Sequence, residues 1–271
     1  MNISYFENSR IFKIDTATTS YIMAVVDEEQ FLGHVYYGPL IKDVDVSYRL
    51  RLTEPPFVPS KNNRDRSSFL DAFHFEYSSN SVGDFRDSSI SVRDINGNSG
   101  ILLLYQSHRI FKGKKKIPGL PATFGNDEDS MTLEIDLYDS VLDVSVTLSY
   151  SIFSDCDAIA RSIVFENASD DKIKLSKIMS CCVDMDDENY QLLTMHGSWA
   201  RERQIEYRKI AYGKQSVGSV RGESSHQEHP FIALTKEETT YDCGEVYGFS
   251  FVYSGNFLAQ VEKSQFDSLR V

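Results

Sequence analysis

Long apolar runs are missing from this sequence. None approaches the ~20 residues that a helix needs to cross a bilayer, so a membrane-spanning helix is excluded. The opening "MNISYFENSR" has no basic stretch followed by an apolar one, so it does not read as a secretory signal. Basic charge is also short: 28 Lys and Arg stand against 40 Asp and Glu, a net charge of −12. Phosphate backbones select a basic stripe, so this balance argues against a nucleic-acid partner. The one dense basic run, "KGKKK" at Lys112–Lys116, reads best as a solvated loop. The four cysteines, Cys156, Cys181, Cys182 and Cys243, show no C-x-x-C spacing. Neighbouring positions on a strand face opposite sides, which argues against a shared zinc site; reduced thiols in a cytoplasmic protein are the expectation. No G-x-S-x-G elbow is present.

What the chain does have is a period of two. At 271 residues it is long enough for one large all-β domain or two ordinary ones. Aromatic residues make up 12%, with 17 Phe and 15 Tyr, and these suit pleated, half-buried surfaces. "RIFKIDTATTSYIMAVV" predicts two strands around a Thr/Ala turn. "TLEIDLYDSVLDVSVTLSYSIF" predicts two more around Asp139 and Ser140. "SISVRDINGNSGILLLY" predicts strand, Asn-Gly turn, strand. "AIARSIVFENASDDKIKLSKIMS" predicts a hairpin with "NASDD" at its tip, and "EVYGFSFVYSGNFLAQVE" a further pair turning at "SGN". No long segment carries the i, i+3, i+4, i+7 pattern of a helix, so a large antiparallel sandwich is expected. Two stretches, Glu54–Ser68 and Gly213–Pro230, break the rhythm and read as loops. A loop as long as the first is usually functional or disordered. The tail "VEKSQFDSLRV" still alternates, so the chain is expected to stop within a sheet, short of its last strands.

Candidate chemistry is sparse. "SSHQEHPF" (Ser224–Phe231) holds Ser and His side by side, and His226 and His229 are three apart. Serine triads assemble in space on special turns, and no third metal ligand is near, so a hydrogen-bonded structural loop is the favoured reading. The acidic pairs in "DDEN", "NDED" and "SDCD" lie between strands, where solvated turn carboxylates belong. Trp199, the only tryptophan, sits among charges in "HGSWARER". It is either a core residue or an exposed platform on which the C–H face of a sugar packs. Arg201 and Arg203, alternating with Glu202, are exposed ion pairs or hydroxyl-binding forks. Arg64, Asp65 and Arg66 form either a solvated cluster or a fork for hydroxyls or carboxylates.

Taken in order, "TSYIMAVV", "FLGHVYYG", "FEYSSNSVGDFRDSS", "HRIFKGKKKIPGLPAT", "TLEIDLYD", "GSWARERQ", "SVRGESSHQEHPFIAL" and "GEVYGFSFVYSGNFLAQVE" resemble the N-terminal domain of α-galactosidases of glycoside hydrolase family thirty-six, over almost the whole chain. The resemblance implies a β-supersandwich, of the galactose-mutarotase-like kind, over residues 1–271. It precedes a (β/α)8 barrel whose two aspartates cleave terminal α-galactosyl residues of melibiose, raffinose or stachyose with retention. It implies no metal or organic cofactor, galactose-containing oligosaccharides as ligands, and a cytoplasmic homo-oligomer, a tetramer in the full enzyme, in which N-terminal domains shape a neighbour's pocket. No catalytic residue falls in this chain, and the barrel is absent from it. Arg66 in "NRDRSSFLDAFHFEY", Glu54 in "RLTEPPF" (where the family often has Asp) and Trp199 in "GSWARER" match family positions near the sugar. Ser78 and Ser88 replace family prolines, which is expected to loosen two turns, and His229 stands where Asn is usual. A carbohydrate-binding module without hydrolysis, or a family enzyme acting on a different sugar, are the competing functions.

Overall fold

The computed structural model describes residues 1–26, 30–50, 70–79, 83–224 and 226–271. The chain divides into two compact units. One holds residues 1–115 and 124–185; the other holds 116–123 and 186–271. The described residues are strands and turns, with a single 3-10 turn at Ser47–Leu50.

The first unit contains β1 (Asn2–Phe6), β2 (Ile11–Asp15), β3 (Thr19–Val26), β4 (Phe31–Pro39), β5 (Ile90–Arg93), β6 (Leu104–Lys112), β7 (Ser130–Asp139), β8 (Val144–Phe153), β9 (Cys156–Asn167) and β10 (Lys174–Ile178). β1 to β4 form one antiparallel meander, β6 to β9 a second, and β5 pairs with β10. The first meander is buried on both faces, which is why "IFKI" and "SYIMAVV" are apolar at successive positions. Phe12 and Tyr21 face the second meander, with Phe12 edge-on to His108 at 4.9 Å and Tyr21 6.2 Å from Tyr150. On the other face Ile11, Ile22 and Ala24 join Phe31, Leu50, Phe73 and Phe75 in one cluster. Gly33 makes this approach possible. A Cβ there would lie 2.6 Å from the Phe73 ring and 3.0 Å from the His74 carbonyl, where the backbone of His34 donates to His74. Lys13, on the same face, keeps its charge by reaching Asp15 at 2.7 Å and Asp43 at 2.8 Å.

Turn chemistry explains the β7–β8 hairpin. The Asp139 carboxylate accepts the backbone N–H of Val141 and Leu142, and Asp143 takes φ +52° to close the loop. The predicted β2–β3 pair also forms, and the three remaining predicted pairings are corrected. "INGN" does turn, with Asp94 accepting the N–H of Asn96 and Asn98. But β5 goes on to pair with β10, and β6 with β7. Likewise β9 pairs with β8, so "NASDD" joins two sheets and is not a hairpin tip. Local turn propensity sets where a strand ends, while side-chain burial selects its partner. Ser78 also departs from expectation. It is fully buried, its hydroxyl accepts the Ser89 N–H at 3.0 Å and meets the Ser89 hydroxyl at 2.9 Å, so the turn is filled rather than loosened.

The chain passes through β11 (Asp184–Asp186) to the second unit: β12 (Gln191–Ser198), β13 (Arg201–Lys209), β14 (Gly213–Ser219), β15 (Glu228–Thr235), β16 (Val246–Ser250), β17 (Phe257–Lys263) and β18 (Ser268–Arg270). One antiparallel sheet runs β13–β12–β15–β16; in another, β14, β17 and β18 lie side by side in the order β14–β17–β18. Leu192, Ile232, Leu234, Val217, Val261 and Leu269 are buried in this unit. Here β16 pairs with β15 and β17 with β14, so "SGN" connects two sheets. Gly213–Ser219, expected as loop, is a strand. It is polar because it lies at a sheet edge, with its side chains mostly exposed.

Candidate functional site

Three of the segments that carry chemistry-bearing residues meet at one end of the second unit. The β12–β13 hairpin supplies Trp199. The β14–β15 connection supplies "RGESSHQE", and the β16–β17 connection supplies "FVYSGN". Backbone bonds tie them together: Gly197 donates to Gln227, Ser224 to Ser254, and Phe251 to Pro230. Gly222 donates to the Asn256 side chain at 2.7 Å. Glycine is required at 197, because a Cβ there would lie 2.4 Å from the Arg201 carbonyl and 2.9 Å from the His226 carbonyl.

Trp199 is not a core residue. Its side chain is 85% exposed at the hairpin tip, beside Ala200 in a left-handed turn (φ +64°). The Arg201 Nε donates to Ser198 Oγ at 2.7 Å, and the Ala200 N–H to the Glu202 carboxylate at 2.8 Å. These bonds fix the tip and leave the indole free. Phe251 and Tyr253 form an edge-to-face pair, 5.8 Å between centroids, in the connection bonded to "RGESSHQE". Exposed aromatic faces framed by amide and guanidinium donors are what a hydroxyl-rich ligand packs on. Glu54 and Arg66, the other predicted sugar contacts, lie outside the described residues, as do Arg64 and Asp65.

Ser224 does not serve His226. Its hydroxyl donates to the Tyr253 carbonyl at 3.4 Å. Ser225 lies outside the described residues. Among the described residues no three His, Cys, Asp or Glu side chains are grouped to hold a metal ion. Burial lowers the His229 pKa below its ordinary 6.5, and the Arg203 charge pushes the same way.

Another hydroxyl–imidazole–carboxylate chain is present that the sequence did not reveal. His196 Nε2 lies 2.7 Å from Thr194 Oγ1, and Nδ1 lies 2.8 Å from Glu228 Oε2. Glu206 reaches the same Nε2 at 3.2 Å, and Arg208 donates to Thr194 at 3.3 Å. The connectivity is that of an activated nucleophile, but Thr194 is fully buried and no substrate reaches its oxygen. The cluster pins β12 to β13 and β15. Thr194 and His196 share a face by the period of two, whereas Glu228 is brought to them only by the pairing of β15.

The first unit hides a buried ion pair. Glu76, with no exposed surface, accepts both Tyr21 and Tyr150 hydroxyls at 2.7–2.8 Å and meets Arg161 at 2.7 Å and His34 at 3.3 Å. Burial, with the carboxylate beside them, holds both phenols well above their ordinary pKa. A second buried guanidinium, Arg86, bonds Asp84 at 2.9 Å and the Phe73 carbonyl at 2.7 Å and lies 3.2 Å from Asp184. Cys181 is a thiol whose pKa burial raises, and Cys156, Cys181, Cys182 and Cys243 are not joined in disulfides.

Residues 30–271 match the glycosyl hydrolase family 36 N-terminal domain. The chain belongs to glycosyl hydrolase family 36. Alpha-galactosidase AgaA of Geobacillus stearothermophilus is 39% identical over 272 residues, covering 100% of this chain and 37% of that enzyme. The crystal structure of the family 36 alpha-galactosidase AgaB from the same organism superposes with a TM-score of 0.94 at 39% identity, covering 100% of this chain and 37% of that one. A variant of AgaA, solved in complex with raffinose, superposes at 0.92 over 96% of this chain and 36% of its own. The family 36 chain thus spans 25–37% of the length of the curated relatives it matches, and its all-β antiparallel class is the one expected.

Proposed function

We propose that this chain is the non-catalytic N-terminal part of a retaining α-galactosidase, where it supports folding, assembly into a homo-oligomer and the shape of a substrate pocket. The observation that carries this reading is the match of residues 30–271 to the N-terminal domain of family 36, with the chain covering only 37% of the AgaA relative. Hydrolysis of terminal α-galactosyl residues is assigned to a barrel joined to it. The ligand class, galactose-containing oligosaccharides, is supported by the raffinose complex of the AgaA relative. Four cysteines held as thiols, none of them in a disulfide, support a reducing, cytoplasmic setting.

Trp199 at the tied loop end favours a second reading, a module that binds galactosides without hydrolysis. Two measurements on the purified chain separate them. An aryl α-galactoside is expected to show no turnover, and turnover would refute the proposed role. Calorimetry with galactose, melibiose and raffinose is expected to show nothing tighter than about millimolar, because an incomplete pocket leaves the ordering cost of binding unmatched. Tight binding by the chain alone would establish the binding module instead.

A further inference from the structure

The edge strand β13 is out of character for a sheet margin in contact with water. Among the described residues its one neighbour in the sheet is β12, and no backbone hydrogen bond to another described residue is made along its other side. Every residue from Arg201 to Tyr207 is exposed, yet the strand carries two large apolar side chains on one face, Ile205 at 46% and Tyr207 at 58% exposure. An edge of this kind is a template for another strand.

We propose that β13 pairs antiparallel with β13 of a second copy of this chain, about a two-fold axis at Tyr207. The register follows from charge. A two-fold axis normal to an antiparallel pair sets one residue opposite its own copy, and its neighbours pair symmetrically about it. The strand is regular only from Gln204 to Lys209. Before that Glu202 and Arg203 share the place opposite Gly197, with Arg203 at φ +55°. Centring on Glu206 or Arg208 sets like charges face to face. Centring on Gln204 sets Glu202 against Glu206. Centring on Ile205 uses the bulged end and sets Arg201 against Lys209. Only Tyr207 both keeps the contact within the regular stretch and sets no like charges face to face. It sets Glu206 opposite Arg208 twice, lays the Lys209 stem beside Ile205, and pairs the two tyrosines. Opposite charges and aromatic pairs directly across an antiparallel ladder are favourable, and like charges are not. A margin guarded against its own copy carries one sign of charge at the positions that would meet; β13 carries both.

This inference deepens the assembly part of the function proposed above and rests on it. The test uses the 271-residue chain and light scattering after size exclusion. The chain is expected to be a dimer. Tyr207→Asp and Tyr207→Lys are each expected to be monomeric, because each sets its own charge against itself, and an equimolar mixture of the two is expected to recover the dimer. Tyr207 is exposed, so circular dichroism and melting of both variants should match the parent chain. A dimer that survives in either variant overturns the strand pairing and leaves assembly standing. A chain that is monomeric at every concentration overturns both.

Discussion

Replacing Glu76 by Gln isolates the buried ion pair of the first unit. Glu76 has no exposed surface, and its partner Arg161 is 13% exposed. The tyrosine hydroxyls donate to the carboxylate and accept from Arg161 at 3.2–3.3 Å, and the guanidinium stacks over the Tyr150 ring at 4.8 Å. The carboxylate, both phenols and the guanidinium are therefore committed to one another. Gln keeps the shape but loses one acceptor oxygen and the charge, so Arg161 is left buried without its counter-ion. Breaking one partner of such a pair costs about 3–5 kcal/mol. That is a large part of a stability of about 5–15 kcal/mol. At roughly 2–4 °C per kcal/mol, the melting temperature should fall by about 6–20 °C. Adding Arg161→Met removes the stranded charge, and the double variant should regain at least about 1 kcal/mol over Glu76→Gln alone, since a buried pair exchanged for apolar groups is often near neutral. Urea unfolding of the parent, both single variants and the double variant measures this cycle. A loss under about 1 kcal/mol in Glu76→Gln, or a double variant no more stable than the single, refutes the reasoning.

His229 and His108 are both held below the ordinary histidine pKa of 6.5 by burial, His229 further by Arg203. The unfolded chain then binds more protons between the folded pKa and 6.5, so stability should fall as pH drops through that window and be flat above it. His229→Gln should reduce the slope of melting temperature against pH. Gly197→Ala drives a Cβ into the Arg201 carbonyl and should cost about 1–3 kcal/mol, read by urea unfolding. Trp199→Ala, at an exposed tip, should change stability by less than about 0.5 kcal/mol. In a full-length family 36 enzyme, the same change should weaken KM for raffinose if the indole faces the sugar.

Strand positions were largely legible because a strand writes its period into its own residues. β2, β3, β7 and β8 fall where the alternation and turn residues put them, and the β7–β8 hairpin is closed by Asp139, a signal two and three residues from its targets. Partner choice was not legible. "INGN", "NASDD" and "SGN" all turn the chain, but β5, β9 and β17 each pair with a strand that those turns do not connect to them. A polar strand such as Gly213–Ser219 reads as loop because an edge strand buries little, so its residues are under weak pressure to alternate.

The same division holds for the candidate site. The sequence alone determined the all-β class, the family and Trp199 as a residue worth following, since each rests on residues adjacent in the chain. It could not say that the indole stands in solvent, that Ser224 serves Tyr253 and not His226, or that His196 meets Glu228 across β12 and β15. Nor could it say that Glu76 finds Arg161 across 85 positions, the interval from 76 to 161. These are contacts between side chains far apart in the chain, and burying a charge is tolerable only where the fold delivers the opposite one to the same place.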